Sequence, residues 1–391
     1  MRILFVPAAL LVLFVAFLAL ERAGLARWRA KVPLRVCITG TRGKSSVTRL
    51  TAAALRASGL KVAAKTTGSR PMLIFPDGRE KEIRRAGLPS ILEQKRVLRW
   101  AARLGADALV VEMMSIRAET LGAESRRILR PRILGITNVR LDHLDDMGRT
   151  KAAIAAAMSS AVPEDGIVFL PAADDDPSFR RAAEERGSTV RIVRGDGAPE
   201  GFPKLEFAEN LRLALAISEE MGVERAAALR GMTAAAPDFG GVKIWTLREA
   251  RAAFACLSLF AANEPESTRA ALTEALGRLA VSPAALVGLL NLRADRGDRT
   301  RQWLDALENG FFGDFDRLVF IGDHARALGR IERWSRRPRP IVSALVSRNP
   351  EAIMAGIRPF LVNGSAVVGL GNMGGVGEAL VEHWARLGEA A

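Results

Sequence analysis

The sequence predicts an α/β protein in which two domains built on parallel sheets follow a single N-terminal membrane helix. Three observations support that architecture. An uninterrupted apolar run fills positions 3 to 20. After it, apolar stretches of strand length alternate with stretches of helix length, the pattern of parallel strands covered by helices. The first strand-like stretch then breaks into the glycine-rich turn Gly40-Thr41-Arg42-Gly43-Lys44-Ser45-Ser46.

The run Ile3 to Leu20 would span about 27 Å as a helix, enough for a bilayer core. Pro7 falls in its first turns, where proline is tolerated. Only Arg2 and the amino terminus precede the run, whereas Arg22, Arg27, Arg29, Lys31 and Arg35 follow it. By the positive-inside rule the rest of the chain then lies in the cytoplasm, so residues 1–22 read as a single-pass anchor in the inner (cytoplasmic) membrane. A cleaved signal peptide would have a shorter apolar region, with its charge mainly in front.

Arg35 to Ile38 reads as a buried strand and Ser46 to Ser58 as a helix stopped by Gly59. Glycines let the turn between them bring backbone N–H groups together on phosphate oxygens. The helix N-terminus adds its positive end, Lys44 a charge for the β- and γ-phosphates, and Ser45 a ligand for Mg²⁺. Position 38, where the usual phosphate loop has another glycine, is Ile38. Gly40, Thr41, Gly43, Lys44, Ser45 and Ser46 are therefore the expected nucleotide-binding residues, with ATP and Mg²⁺ as ligands. Export would remove that ATP, which again favours the anchor.

Further strands are expected at 62–65, 108–113, 133–137, 167–170 and 189–193, and helices at 91–104, 151–161, 177–186, 207–221 and 224–229. The strand 108–113 carries Glu112 near its end, where an unpaired buried carboxylate is costly and a Mg²⁺ ion beside the phosphate loop is a natural partner. The strand 133–137 runs into Asn138-Val139-Arg140-Leu141-Asp142-His143-Leu144-Asp145-Asp146, a loop rich in groups that ligate metal or orient water. Gly231 to Gly241 breaks the pattern and reads as a linker, giving domains at 33–236 and 242–391. The second domain expects strands near 252–260 and at 285–292, 318–322, 341–346 and 365–370, with helices at 265–279, 350–361 and 375–387.

Bulk properties agree. A content of 49% hydrophobic and 26% charged residues excludes a mostly disordered chain. The net charge of +14 suits an anionic lipid surface or an acidic substrate or product. No zinc-finger spacing, RNA-binding signature or aromatic-interleaved basic patch is present, so nucleic acid is not an expected partner. Cys37 and Cys256 lie in apolar runs and read as core thiols rather than a disulfide framework. Gly369-Leu370-Gly371-Asn372-Met373-Gly374 has a dinucleotide-like look but lacks an acid about 20 residues on.

Taken together, the loop Gly40 to Ser45, the strand-end Glu112 and the segment Ile136 to Asp145 resemble the Mur ligase family, which includes the folylpolyglutamate synthases. Asn210 in Glu209-Asn210-Leu211 resembles the family's adenine-side asparagine. Phe260-Ala261-Ala262-Asn263-Glu264-Pro265 resembles its Tyr-Ala-His-Asn-Pro segment, with Asn263 at the histidine position, and Arg293 to Thr300 resembles its Gly-Gly-Asp-Arg-Asp segment. The resemblance implies a P-loop Mur-ligase-like central ATPase domain and a Rossmann-like C-terminal α/β domain. It implies Ser45, Glu112 and His143 as Mg²⁺ ligands, Lys44, His143 and Arg296 as catalytic, and Asn210, Asn263, Asp295 and Arg296 as further nucleotide-binding residues. No lysine lies between Ala152 and Ala161, so the family's carbamylated lysine has no counterpart there.

Within the family, Gly-Thr-Arg-Gly-Lys-Ser-Ser at 40–46, Ala-Ala-Asn-x-Pro-Glu-Ser-Thr at 261–268, Asn-x-Arg-Ala-Asp-Arg at 291–296 and the glycines of 369–377 are similar to the capsule-type poly-γ-glutamate synthase ligase subunits. That likeness implies ATP-dependent amide formation through an acyl phosphate. Its implied partners are glutamate, the poly-γ-glutamate chain and membrane subunits of a polymer synthase complex; a homo-oligomer is compatible with it. Two alternatives stand beside it: a folate-type polyglutamylating ligase, and a membrane-tethered P-loop ATPase with no bond-forming role. The second would be favoured by a Walker-type strand ending in aspartate, but Leu109 to Glu112 ends in glutamate.

Overall fold

The structure is a computed structural model. It describes the chain except residues 1, 69, 86, 88, 143, 196, 200, 201, 203–206, 237, 239, 240, 250, 251, 331–339 and 391, and the side chains at 2–6 and 145. The chain divides into two compact units, Met1–Asp238 and Phe239–Ala391.

The first unit holds strands β1 (Leu34–Thr39), β2 (Val62–Lys65), β3 (Met72–Ile74), β4 (Glu80–Glu82), β5 (Ala108–Glu112), β6 (Ile133–Ile136), β7 (Ile167–Pro171) and β8 (Thr189–Val193). They form one sheet in the order β4-β3-β2-β5-β1-β6-β7-β8. β1 lies between β5 and β6, parallel to both, with Ile38 level with Glu112 and Thr39 with Ile136. This register gathers the ends of three parallel strands at one edge, where ligands of open α/β sheets bind. β3 and β4 add an antiparallel edge that the sequence reading missed. With three residues each, they are too short to show a period.

Helices cover both faces because the central strands are apolar on both. Val36, Ile38 and Val110 pack with residues of helices Lys44–Ala57, Ala208–Glu220 and Arg225–Ala234. Cys37, Leu109 and Val111 face the other side, among residues of helices Leu92–Leu104 and Lys151–Ser159 and the π-helical segment Ala123–Leu129. Gly231, expected in a linker, instead lies within helix Arg225–Ala234. A Cβ there would come within 2.5 Å of the Ala53 carbonyl, so the glycine permits close helix packing.

The N-terminal helix runs from Arg2 to Lys31, well past the expected anchor. Its continuation is rich in helix formers, and Pro33 stops it by disfavouring helical backbone at the preceding residue. Leu10 to Phe14 are exposed, whereas Leu25 and Val32 are buried in the first unit's core. It is one helix long and apolar enough to cross a membrane.

The second unit holds β9 (Lys243–Glu249), β10 (Ala252–Ser258), β11 (Leu286–Leu292), β12 (Arg317–Gly322), β13 (Ile341–Ala344), β14 (Ala366–Gly371) and β15 (Glu389–Ala390), in the order β13-β12-β11-β14-β10-β9-β15. Five strands are parallel, and β9 returns antiparallel on β10. β9 and helix Gly297–Glu308 were not foreseen. Phe260 stacks on Trp384 at 5.9 Å between ring centroids, fixing the last helix, Val376–Leu387, against the sheet. Both cysteines are buried free thiols, and burial pushes each well above the ordinary thiol range.

Candidate active site

The turn after β1 owes its shape to two glycines. Gly40 has φ 131°, and a Cβ there would lie 2.0 Å from Thr137 Oγ1. Gly43, with φ 77°, starts helix Lys44–Ala57 and has no side chain with which to cap the first-turn N–H groups. Those donors and the helix dipole remain directed at the turn, as an anion site requires. The helix begins two residues before the expected Ser46, so Lys44 and Ser45 both stand on its first turn.

Lys44 bends back over the turn, donating through Nζ to the Gly40 carbonyl at 2.7 Å and to that of Thr41 at 3.2 Å. Ser45 Oγ donates to Glu112 Oε2 at 2.7 Å, and the Thr67 N–H donates to the same oxygen at 2.6 Å. Glu112 is 2% exposed, and the buried Lys65 ammonium, which pairs with Glu93, also interacts electrostatically with it. Ser46 is half-buried on the same turn. His143, expected to complete the metal set, lies outside the described residues.

A second layer of contacts holds the turn to the loop after β6. Thr41 Oγ1 accepts the Arg140 N–H at 3.0 Å, which ties this hydroxyl into the protein. Asn138 Oδ1 accepts the Arg42 N–H at 3.0 Å, and its Nδ2 donates to the Arg42 carbonyl at 3.2 Å. Arg42 pairs with Asp142 at 3.0 Å, and Arg140 with Glu209 at 2.8 Å. Burial pushes the Glu209 carboxyl above its ordinary range, against the pull of Arg140. Asn210, next in the chain, is 2% exposed and lies so close to Gly43 that a Cβ there would meet its Oδ1 at 2.4 Å. Asn138, in the loop expected to ligate metal or orient water, instead spends its side-chain amide on the Arg42 backbone. Thr67, Gln94 and Glu124 carried no local signal.

In the second unit, Asn263 has φ 60° after β10; its Nδ2 donates to the Ala261 carbonyl at 2.9 Å, and its own carbonyl accepts Trp303 Nε1 at 3.0 Å. Asp295 is held by Arg293 through two hydrogen bonds of 2.9 and 2.7 Å, which keep its carboxyl below the ordinary range. Arg296 is the N-cap residue of helix Gly297–Glu308, and among the described residues its guanidinium has no ion-pair partner.

The donor set fits Mg²⁺ with a nucleotide. Ser45 and Glu112 offer two hard oxygens at the foot of an uncapped helix, and Mg²⁺ characteristically takes one or two protein ligands, the rest being phosphate and water. Among the described residues no three His, Cys, Asp or Glu side chains gather into a metal cage.

Comparison with known proteins identifies the family of the chain. Residues 38–209 match the Mur ligase middle domain, and residues 244–387 match the poly-gamma-glutamate synthase CapB C-terminal domain. The PGA synthase CapB of Bacillus subtilis is 31% identical over 358 residues, covering 90% of this chain and 90% of that protein. Among solved structures, E. coli FolC in complex with ADP superposes with a TM-score of 0.64 at 17% identity, covering 96% of this chain and 98% of the other. The bifunctional folylpolyglutamate synthase/dihydrofolate synthase of Yersinia pestis, complexed with AMPPNP and Mn ion, gives 0.60 at 15% identity over 93% of each chain. At such identities the two structures share the fold. With the site and the full-length relative together, the chain belongs to the Mur ligase family, within it to the CapB poly-γ-glutamate synthases, and is a ligase of that family.

Proposed function

We propose that this ligase uses ATP and Mg²⁺ to activate a γ-carboxylate of glutamate, or of a growing poly-γ-glutamate chain, as an acyl phosphate that the amine of the next glutamate attacks. The observation that carries the reading is the Ser45–Glu112 contact of 2.7 Å at the mouth of an uncapped helix. The E. coli and Yersinia neighbours, solved with ADP and with AMPPNP and Mn ion, support the choice of ligands.

Each residue has a definite task in this reading. Gly40, Thr41, Gly43 and Ser46 form the cradle, and Lys44 leaves its loop carbonyls to neutralise the β- and γ-phosphates. Ser45 and Glu112, with His143, hold the metal, which when bound draws charge from the phosphates. Asn210 and Asn263 serve the adenosine, Asp295 is a further nucleotide-binding residue, and Arg296 neutralises charge as the phosphoryl group is transferred. For phosphoryl transfer such positioning and neutralisation supply most of the catalysis. The N-terminal helix would span the inner membrane once, leaving both units in the cytoplasm beside the membrane subunits of a polymer synthase. The +14 charge suits an acidic substrate and product. The reading is tested by ADP release from the membrane-reconstituted protein with and without glutamate: stimulation supports it, and unchanged hydrolysis favours the tethered ATPase.

A further inference from the structure

Glu124 is fully buried on the π-helical segment Ala123–Leu129, and none of the roles above uses it. π-Helical turns are rare and concentrate at functional sites. A carboxylate in a core is costly unless donors satisfy it, and the donors here are informative. Its Oε1 accepts the Met114 N–H and its Oε2 the Ser115 N–H, each at 3.0 Å. These are the second and third residues after Glu112. Buried Gln94 joins the two ends: its Nε2 reaches Glu124 Oε1 at 2.5 Å and the backbone carbonyl of Glu112 at 3.2 Å. Among the described residues the hydrogen bonds of the Glu124 carboxylate thus go to the turn that follows β5 and to the side chain that grips the last residue of β5.

The direction of the strand gives this a consequence. Val111 and Met113 face the core on the side of helix Leu92–Leu104, so Glu112 between them points to the opposite face, toward Ser45. Gripping the backbone from one face therefore aims a carboxylate on the other. We propose that Glu124 and Gln94 are positioning residues, which fix the turn after β5 and so hold the Glu112 carboxylate on Ser45 and Thr67. The N-terminal helix braces the same two segments. Glu21 pairs with Lys95, the neighbour of Gln94, and Arg29 donates to the carbonyls of Arg127 and Ile128 on the Glu124 segment, at 3.0 and 3.2 Å. The proposal rests on the reading that Glu112 serves the metal.

The test uses the full-length protein and measures Mn²⁺ affinity by electron paramagnetic resonance with a saturating non-hydrolysable ATP analogue, alongside the thermal midpoint. Glu124→Gln sets an amide N–H against a backbone or Gln94 donor, and is expected to weaken Mn²⁺ binding by about 10-fold or more, as loss of a group that orients a ligand does. Glu112→Gln weakens it at least as much. The double variant should bind no more weakly than Glu112→Gln alone, since Glu124 acts through Glu112. Wild-type Mn²⁺ affinity in Glu124→Gln, or effects that multiply in the double variant, would overturn the proposal. Should Glu124→Gln fail to fold, Gln94→Met enters the same cycle with the same expectation. If Glu112→Gln itself leaves Mn²⁺ affinity unchanged, the metal reading of Glu112 falls, and the proposal with it; if only Glu124→Gln does so, the proposal alone falls.

Discussion

Ser45 donates its hydroxyl hydrogen to Glu112 across 2.7 Å, joining the first turn of a helix to a strand end 67 positions further along the chain. Because β5 lies directly beside β1, a parallel register is enough to bring the two together. Replacing Ser45 with Ala removes the oxygen proposed for the metal and one donor to a buried carboxylate. The half-saturating Mg²⁺ concentration for ATP turnover should rise about 10- to 100-fold. The stability cost should be about 1.5–3 kcal/mol, the worth of a hydrogen bond to a charged group. Unchanged Mg²⁺ dependence would remove Ser45 from the metal site.

Gly43→Ala should damage both backbone and site. At φ 77° a side chain costs about 1–2 kcal/mol, and the new Cβ would displace Asn210, whose Oδ1 lies 2.4 Å from it. Denaturant unfolding should register that loss, and ATP affinity should fall with it. A variant with wild-type stability and ATP affinity would show that the turn tolerates the side chain.

Acid should weaken the first unit through Glu93. Burial pushes this carboxyl up, but Arg85 at 2.8 Å and the buried Lys65 at 2.8 Å outweigh it and hold the pKa at about 2. A carboxyl depressed in the folded state stabilises it above the unfolded pKa. That contribution is lost as pH falls from about 4.5 toward about 2. Glu93→Gln should flatten the dependence of stability on pH in this window; an unaltered slope would assign the acid sensitivity elsewhere.

Two truncations separate the apolar segment, proposed as the anchor, from the stalk that follows it. Removing residues 2–20 should release the protein from membranes while leaving Leu25, Trp28 and Val32 in the core. Extending the deletion to residue 31 removes Leu25, the Glu21–Lys95 pair and the Arg99–Trp28 contact. Burial of one leucine contributes about 1.5–3 kcal/mol, so the longer deletion should lower the thermal midpoint measurably where the shorter does not. Equal midpoints would contradict the docking of the stalk.

Much of the fold was legible because the central strands are buried on both faces and read as plain apolar runs. The glycine-rich turn after β1 and Glu112 were legible because each sits where such a run ends. Gly231 misled, since glycine marks a chain break and a close helix contact alike. The charged stretch from Glu21 to Lys31 read as the flank of an anchor, although Pro33 was the only strong helix stop within it or just beyond. Gln94 and Glu124 were invisible because their partners lie 9 to 30 residues away, and Glu124 sits on a π-helical segment without a sequence period. The roles of Asn263, Asp295 and Arg296 rest on motif resemblance, because local contacts in the second unit do not distinguish a ligand from a turn.

The central claim, bond formation through an acyl phosphate, is tested most directly by trapping. The membrane-reconstituted protein is incubated with ATP, Mg²⁺, glutamate and hydroxylamine, and the products are analysed by mass. Hydroxylamine competes with the incoming amine for the activated carboxyl. The account predicts a glutamyl hydroxamate formed in step with ADP, absent without ATP, and abolished in Lys44→Ala. ATP hydrolysis that glutamate does not stimulate, with no hydroxamate even when membrane partners are supplied, would contradict it.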